Sequence, residues 1–224
     1  EYKRMYPHLE DSYVDGKKYG QAAQVASPSK RRLEYLASIT CMDATIGKVL
    51  DLLDEYQLTD NTLVIFFSDN GGSGGSDNSP LRGHKSQMFE GGIRVCCLMR
   101  YPGRIPAGSV CDEFLTSLEI VPTVLAATGA AAPAGVTLDG FDLLPVVSGQ
   151  QSSPRTKMFW QRRDHFACRV ENWKWIRIGE KESLYDLMAD VSEERNLLTT
   201  QPEIARRLRE SFQHWEAEMQ ASEP

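Results

Sequence analysis

No apolar run in this 224-residue chain reaches the roughly 18 residues that a membrane-crossing helix needs, so no segment reads as a span. Cysteine is present but unorganised. Cys41, Cys96, Cys97, Cys111 and Cys168 form no CxxC pair and no zinc-like spacing, so neither a disulfide framework nor a zinc module can be read from them. Cys96 and Cys97 lie in an apolar run and are expected as small buried hydrophobes. Positive charge is not concentrated either. The net charge is −6, and Lys30-Arg31-Arg32 and Arg206-Arg207 are short runs in helical patterns, so nucleic acid is not an expected partner. No order of Ser, His and Asp suggests an independent hydrolase. No signal peptide is visible, and Glu1 is not an initiator methionine; the chain is expected to begin inside a longer polypeptide.

What is present is an ordinary globular composition, 41% hydrophobic and 25% charged, long enough to bury a core in one large or two small domains. One stretch organises it, Thr62 to Val95, reading TLVIFFSDNGGSGGSDNSPLRGHKSQMFEGGIRV. Leu63 to Phe67 is rich in β-branched and aromatic residues and stops at Ser68-Asp69-Asn70-Gly71-Gly72. That predicts a buried strand delivering polar groups to its carboxyl end, where open α/β sheets bind ligands. Asp69 and Asn70 offer hard oxygens suited to Ca²⁺ or Mg²⁺. Arg82-Gly83-His84-Lys85 supplies cations for an anionic substrate.

Asp69-Asn70-Gly71, then Leu81-Arg82-Gly83-His84-Lys85, then Glu90-Gly91-Gly92-Ile93-Arg94-Val95 resemble, in order and approximate spacing, the type I sulfatases, arylsulfatase-like enzymes of the alkaline phosphatase superfamily. The resemblance covers nearly the whole chain but only the C-terminal portion of the family. It implies an α/β fold: the later part of a mixed or parallel sheet flanked by helices, then a small antiparallel four-stranded sheet with a C-terminal helix. Residues 1–149 would be the C-terminal part of the large α/β domain, and 150–224 the small α+β subdomain, with GQQSSP as the linker.

Taken in order, Glu1 to His8 resembles a family segment following a substrate-binding histidine motif, but His8 is offset from that motif and reads as a loop residue. Residues 30–57 predict a helix with Leu33, Leu36, Ala37, Thr40, Ile46, Val49, Leu50 and Leu53 facing a sheet, Ser29 as its N-cap, and Asp43 as a structural carboxylate at that interface. Gly92 to Arg100 predicts a second buried strand, and Asp112 to Leu118 a short one. Leu118 to Gly129 predicts a helix with Leu118, Val121, Val124 and Leu125 inward and Gly129 as its stop. Strands are expected at Lys157–Trp160, Phe166–Val170, Trp173–Ile178 and Leu184–Leu187, with a tight hairpin at Glu171-Asn172. The last helix, Pro202 to Met219, should bury Ile204, Leu208, Phe212 and Trp215.

The resemblance also implies a chemistry. Family members hydrolyse sulfate monoesters with a formylglycine nucleophile, made from a Cys/Ser-x-Pro-x-Arg motif, beside a Ca²⁺ held by four side chains. Asp69 and Asn70 match two of those ligands, and Lys85 matches the lysine that contacts the sulfate and the leaving oxygen. The other two ligands, an Asp-Asp pair, and the nucleophile motif do not occur here; Ser152-Ser153-Pro154-Arg155 is the nearest string, with its arginine one place early. The fragment alone is therefore expected to be inactive, its partner being the N-terminal part of the same enzyme. His84 is a candidate helper beside Lys85 and reads equally as a loop histidine. Arg162, Arg163 and His165 fall where some members shape the substrate pocket, but an exposed hairpin tip is the favoured reading. Glu90 and Arg94 are expected to order their loop by pairing with each other. Family resemblance implies a periplasmic, secreted or lysosomal location. A phosphodiesterase or phosphonate hydrolase on the same scaffold, or a non-catalytic anion-binding module, are the alternatives.

Overall fold

The computed structural model describes residues 28–221; His8 and the loop signals at Gly16 and Gly20 lie outside the described residues. Two compact units are distinguished. One holds the described residues up to 57 together with 69–95; the other holds 58–68 and those from 96 on.

In the first unit, helix α1 runs Pro28–Glu55. It starts two residues earlier than predicted, so Ser29 falls in the first turn and not at the cap. Leu33 and Ala37 are buried, but Val49 is 53% exposed and Asp43 also faces solvent, so the predicted stripe is covered only near its N-terminal end. The reason is local. The glycine loop packs there, with Arg32 Nη1 donating to Gly75 O at 2.8 Å, and a side chain at Gly75 would collide with the Arg31 carbonyl. A one-turn helix α2, Glu90–Ile93, replaces the first part of the predicted strand Gly92–Arg100. Gly91 N donates to Arg82 O (2.7 Å) and Gly92 N to Phe89 O (2.8 Å), and these turn-closing bonds pre-empt strand pairing.

The second unit opens with β1, Val64–Phe67, paired antiparallel to β2, Cys97–Arg100. The pair is half-buried, not buried as predicted: Phe67 is 39% and Leu98 65% exposed, and Cys96 and Cys97 are exposed thiols. The predicted strand Asp112–Leu118 does not form. Thr116 begins a capping box instead, its Oγ1 accepting from Leu118 N while its own N–H donates to the Glu119 carboxylate, which starts a one-turn 3-10 helix, Ser117–Glu119. Helix α3, Ile120–Thr128, follows, with Pro122 in its first turn and Gly129 left-handed (φ 69°) at its stop. Its orientation departs from the prediction, with Leu125 the one residue of the four expected inward that is half-buried. Leu118, Val121 and Val124 face solvent and Thr123 is fully buried, because its hydroxyl donates to Glu119 O (2.7 Å) and accepts from Leu143 N (2.9 Å). The short helix α4 is Leu144–Val147.

Four antiparallel strands complete this unit in sequential order: β3 (Lys157–Arg162), β4 (His165–Val170), β5 (Trp173–Ile178) and β6 (Lys181–Asp186). Side chains alternate across them. Phe166, Cys168, Val170, Trp173 and Trp175 face helix α5 (Pro202–Ala221), which buries Leu208 and Phe212 as predicted, leaves Ile204 and Trp215 only partly buried, and buries Ala205, which the expected stripe omitted. Phe212 sits at the centre, with ring centroids 5.6 Å from both Phe166 and Trp175 and 5.3 Å from Trp215. On the opposite face Lys174 reaches Glu193 at 2.8 Å, both fully buried, an ion pair invisible to periodicity. Glu171 (φ 54°) makes the predicted tight turn between β4 and β5.

Candidate active site

Chain direction brings Ser68 directly after β1, and Asp69 and Asn70 form the bend that follows. What fixes that bend is glycine contact. Gly71 N donates to Gly92 O at 2.9 Å, and a side chain at Gly71 would collide with the carbonyl oxygen of Gly91. Gly91 is pinned in turn, since a Cβ there would lie 2.5 Å from the carbonyl oxygens of Arg82 and Gly83. Three backbone segments are thus packed at a distance only glycine allows.

The same packing ties in the cationic segment. Lys85 N donates to Gly72 O (3.1 Å), and Asn78 Nδ2 bridges Gly72 O (2.9 Å) and Gly83 O (3.0 Å). Asp77 tightens the loop by accepting from Ser79 N at 2.9 Å, and that hydrogen bond holds its carboxyl below the usual range. Arg82 lies over the Phe89 ring, 4.2 Å from its centroid. Glu90 is buried and pairs with Arg94 at 3.6 Å, as the i, i+4 spacing predicts.

Among the described residues, the exposed side chains of Asp69 and Lys85 have no hydrogen-bond or ion-pair partner, while Asn70 is half-buried. One glycine-packed turn system therefore carries a carboxylate, an amide and an ammonium. Asp69 and Asn70 are hard oxygen donors, a set that fits Ca²⁺ and supplies two of the six to eight oxygens such an ion takes. Among the described residues no group of three or more His, Cys, Asp or Glu is assembled.

Arg162 and His165 belong to the other unit. They are a cross-strand pair at the β3–β4 hairpin, where Arg162 is exposed and His165 Nε2 lies 3.7 Å from Asp164 Oδ1. Sequence reasoning missed the role of Arg155 in the string SSPR. Its guanidinium binds the fully buried Glu119 through Nε (2.7 Å) and Nη2, and Nη2 also donates to Asp139 O (3.1 Å). No sequence signal marks that pair, since 36 residues separate its members.

The sulfatase family model matches residues 4–130, and that of the N-sulphoglucosamine sulphohydrolase C-terminal region matches 83–218. The chain is 34% identical to human arylsulfatase A over 195 residues, covering 72% of this chain and 38% of that protein. It is similar in fold to Ps i-CgsB in complex with k-i-k-neocarrahexaose (TM-score 0.79, 24% identity, 96% of this chain and 45% of that one). The fold is also that of the phosphonate monoester hydrolase of Agrobacterium radiobacter (TM-score 0.69, 23% identity, 97% and 49%). The chain spans about a third of the length of the curated relatives it matches. With two family models each matching more than half of it, this chain belongs to the sulfatase family.

Proposed function

We propose that this chain is the C-terminal part of an enzyme that hydrolyses sulfate monoesters, aryl or carbohydrate, and that the Asp69–Lys85 turn system is its share of the active site. The observation that carries the reading is the shared backbone packing, Gly71 on Gly92 and Lys85 on Gly72, which presents from one loop system oxygen donors and an ammonium with no partner among the described residues. Asp69 and Asn70 would hold Ca²⁺. The ion, when bound, neutralises negative charge on the sulfuryl oxygens. Lys85 binds the sulfate and steadies the leaving oxygen as its charge develops, which requires a cation fixed in advance. Glu90, paired with Arg94, orders the loop without touching substrate.

The nucleophile, formylglycine by family resemblance, and the remaining metal ligands would come from polypeptide outside these 224 residues, and the domain division at 149/150 belongs to the same reading. Export or lysosomal delivery is the location it implies; no helix among the described residues is long and apolar enough to cross a membrane. The test is a full-length polypeptide carrying this sequence. Lys85→Ala should lower sulfate-ester turnover about 100-fold or more, as loss of a fixed charge-stabilising donor does. Asp69→Ala should weaken Ca²⁺ binding and lower Ca²⁺-supported turnover. Turnover by the purified 224-residue chain alone, or phosphonate hydrolysis exceeding sulfate hydrolysis in the full polypeptide, would overturn the reading.

A further inference from the structure

His84 stands beside Lys85, and its ring is not free to choose a tautomer. Nδ1 lies 2.9 Å from the carbonyl oxygen of Lys85. A carbonyl only accepts, so Nδ1 carries the hydrogen, and in the neutral ring Nε2 carries the lone pair. The backbone at His84 is held as well. Its N–H donates to Gln87 Oε1 (3.2 Å), its carbonyl accepts from Gln87 N (3.0 Å), and a side chain at Gly92 would press on that carbonyl at 2.6 Å. The residue is exposed, and Nε2 has no partner among the described residues.

In its neutral form the ring places an acceptor on the residue next to an ammonium that has no partner among the described residues, and such a pair discriminates between ligand groups. The ammonium suits an anionic oxygen. The lone pair disfavours one and suits a hydroxyl, which donates. From this we infer that His84 is a specificity-determining residue whose Nε2 accepts a hydrogen bond from a hydroxyl of the sulfated molecule, so that the site favours carbohydrate sulfates over aryl sulfates. The inference rests on the reading of Lys85 as the sulfate contact.

Long-range ¹H–¹⁵N spectra of a ¹⁵N-labelled full-length polypeptide carrying this sequence report the tautomer directly, with His84 assigned by substitution. The neutral ring should show Nδ1 protonated and Nε2 bare. Titration with N-acetylglucosamine 6-sulfate should move both Lys85 and His84 Nε2, whereas phenyl sulfate, which has no hydroxyl, should move Lys85 alone. His84→Phe should weaken the sugar sulfate about threefold to tenfold, the worth of one neutral hydrogen bond, and leave phenyl sulfate unchanged. His84→Gln, which restores an acceptor, should recover part of that loss. An Nε2-protonated ring, or equal weakening of both esters by His84→Phe, overturns the inference and leaves the Lys85 reading standing. No response at Lys85 to either ester removes the Lys85 reading and the inference with it.

Discussion

Arg155 closes on Glu119 across 36 residues of sequence, and the carboxylate it grips is completely buried. The remaining oxygen of Glu119 accepts from Thr116 N and Oγ1, so one carboxylate joins the cap of the 3-10 helix to the segment leading into β3. Ser153 reinforces the join, donating from N–H to Glu113 and from Oγ to Phe114 O.

Arg155→Met should therefore destabilise the fold by about 3–5 kcal/mol, because it strands a buried charge. Adding Glu119→Gln should recover part of that loss by removing the charge while keeping acceptors for Thr116. Urea midpoints of the two variants measure this, and a single variant as stable as the parent would refute the account.

Gly91→Ala should cost about 1–3 kcal/mol, the range for forcing extra volume into a packed site. The added methyl meets the carbonyls of Arg82 and Gly83. Amide exchange at Gly71 and Lys85, whose partners lie in the same packing, should accelerate with it. Unchanged exchange there would show that the glycine contacts do not hold the loop.

Cys168 gives a pH prediction. Burial, opposed only weakly by Ser211 and Lys157, pushes its thiol from 9.0 up to about 12. Below pH 9 the folded and unfolded chains both keep the proton, so stability does not depend on this group. Between 9 and about 12 the unfolded chain releases a proton that the folded chain retains, so stability falls as pH rises. Cys168→Ala should flatten that limb of a stability–pH curve. At pH 8 iodoacetamide should modify the exposed Cys41, Cys96, Cys97 and Cys111 and reach Cys168 only in denaturant.

The four strands of the small sheet were legible in outline, because alternation and the Glu171 turn are local signals and α5 carries a plain stripe through Leu208 and Phe212, although β3 runs two residues past its expected end and β6 begins at Lys181, three residues before the expected Leu184. The segment 90–100 misled for the opposite reason. Its β-branched and apolar residues read as strand, but Gly91 and Gly92 answer to carbonyls of the 82–89 segment, and a contact pattern of that kind leaves no period in the sequence. Helix α3 is apolar on most sides, so its composition could not say which face turns inward; a single hydrogen bond from Leu143 to Thr123 decided it. At the candidate site the motif order pointed to Asp69, Asn70 and Lys85, whereas the tautomer of His84 depends on a distance that only coordinates supply.

The β1–β2 pair has a further consequence in the test tube. It is a two-strand ribbon among the described residues, with no further strand paired to either edge and Leu98, the register partner of Phe66, 65% exposed. An open edge next to apolar side chains is a template for another chain's strand. Solutions of the isolated polypeptide should be colloidally fragile, with light scattering that grows with protein concentration, and a charge at Leu98 should do more to keep the polypeptide dispersed than any change of salt.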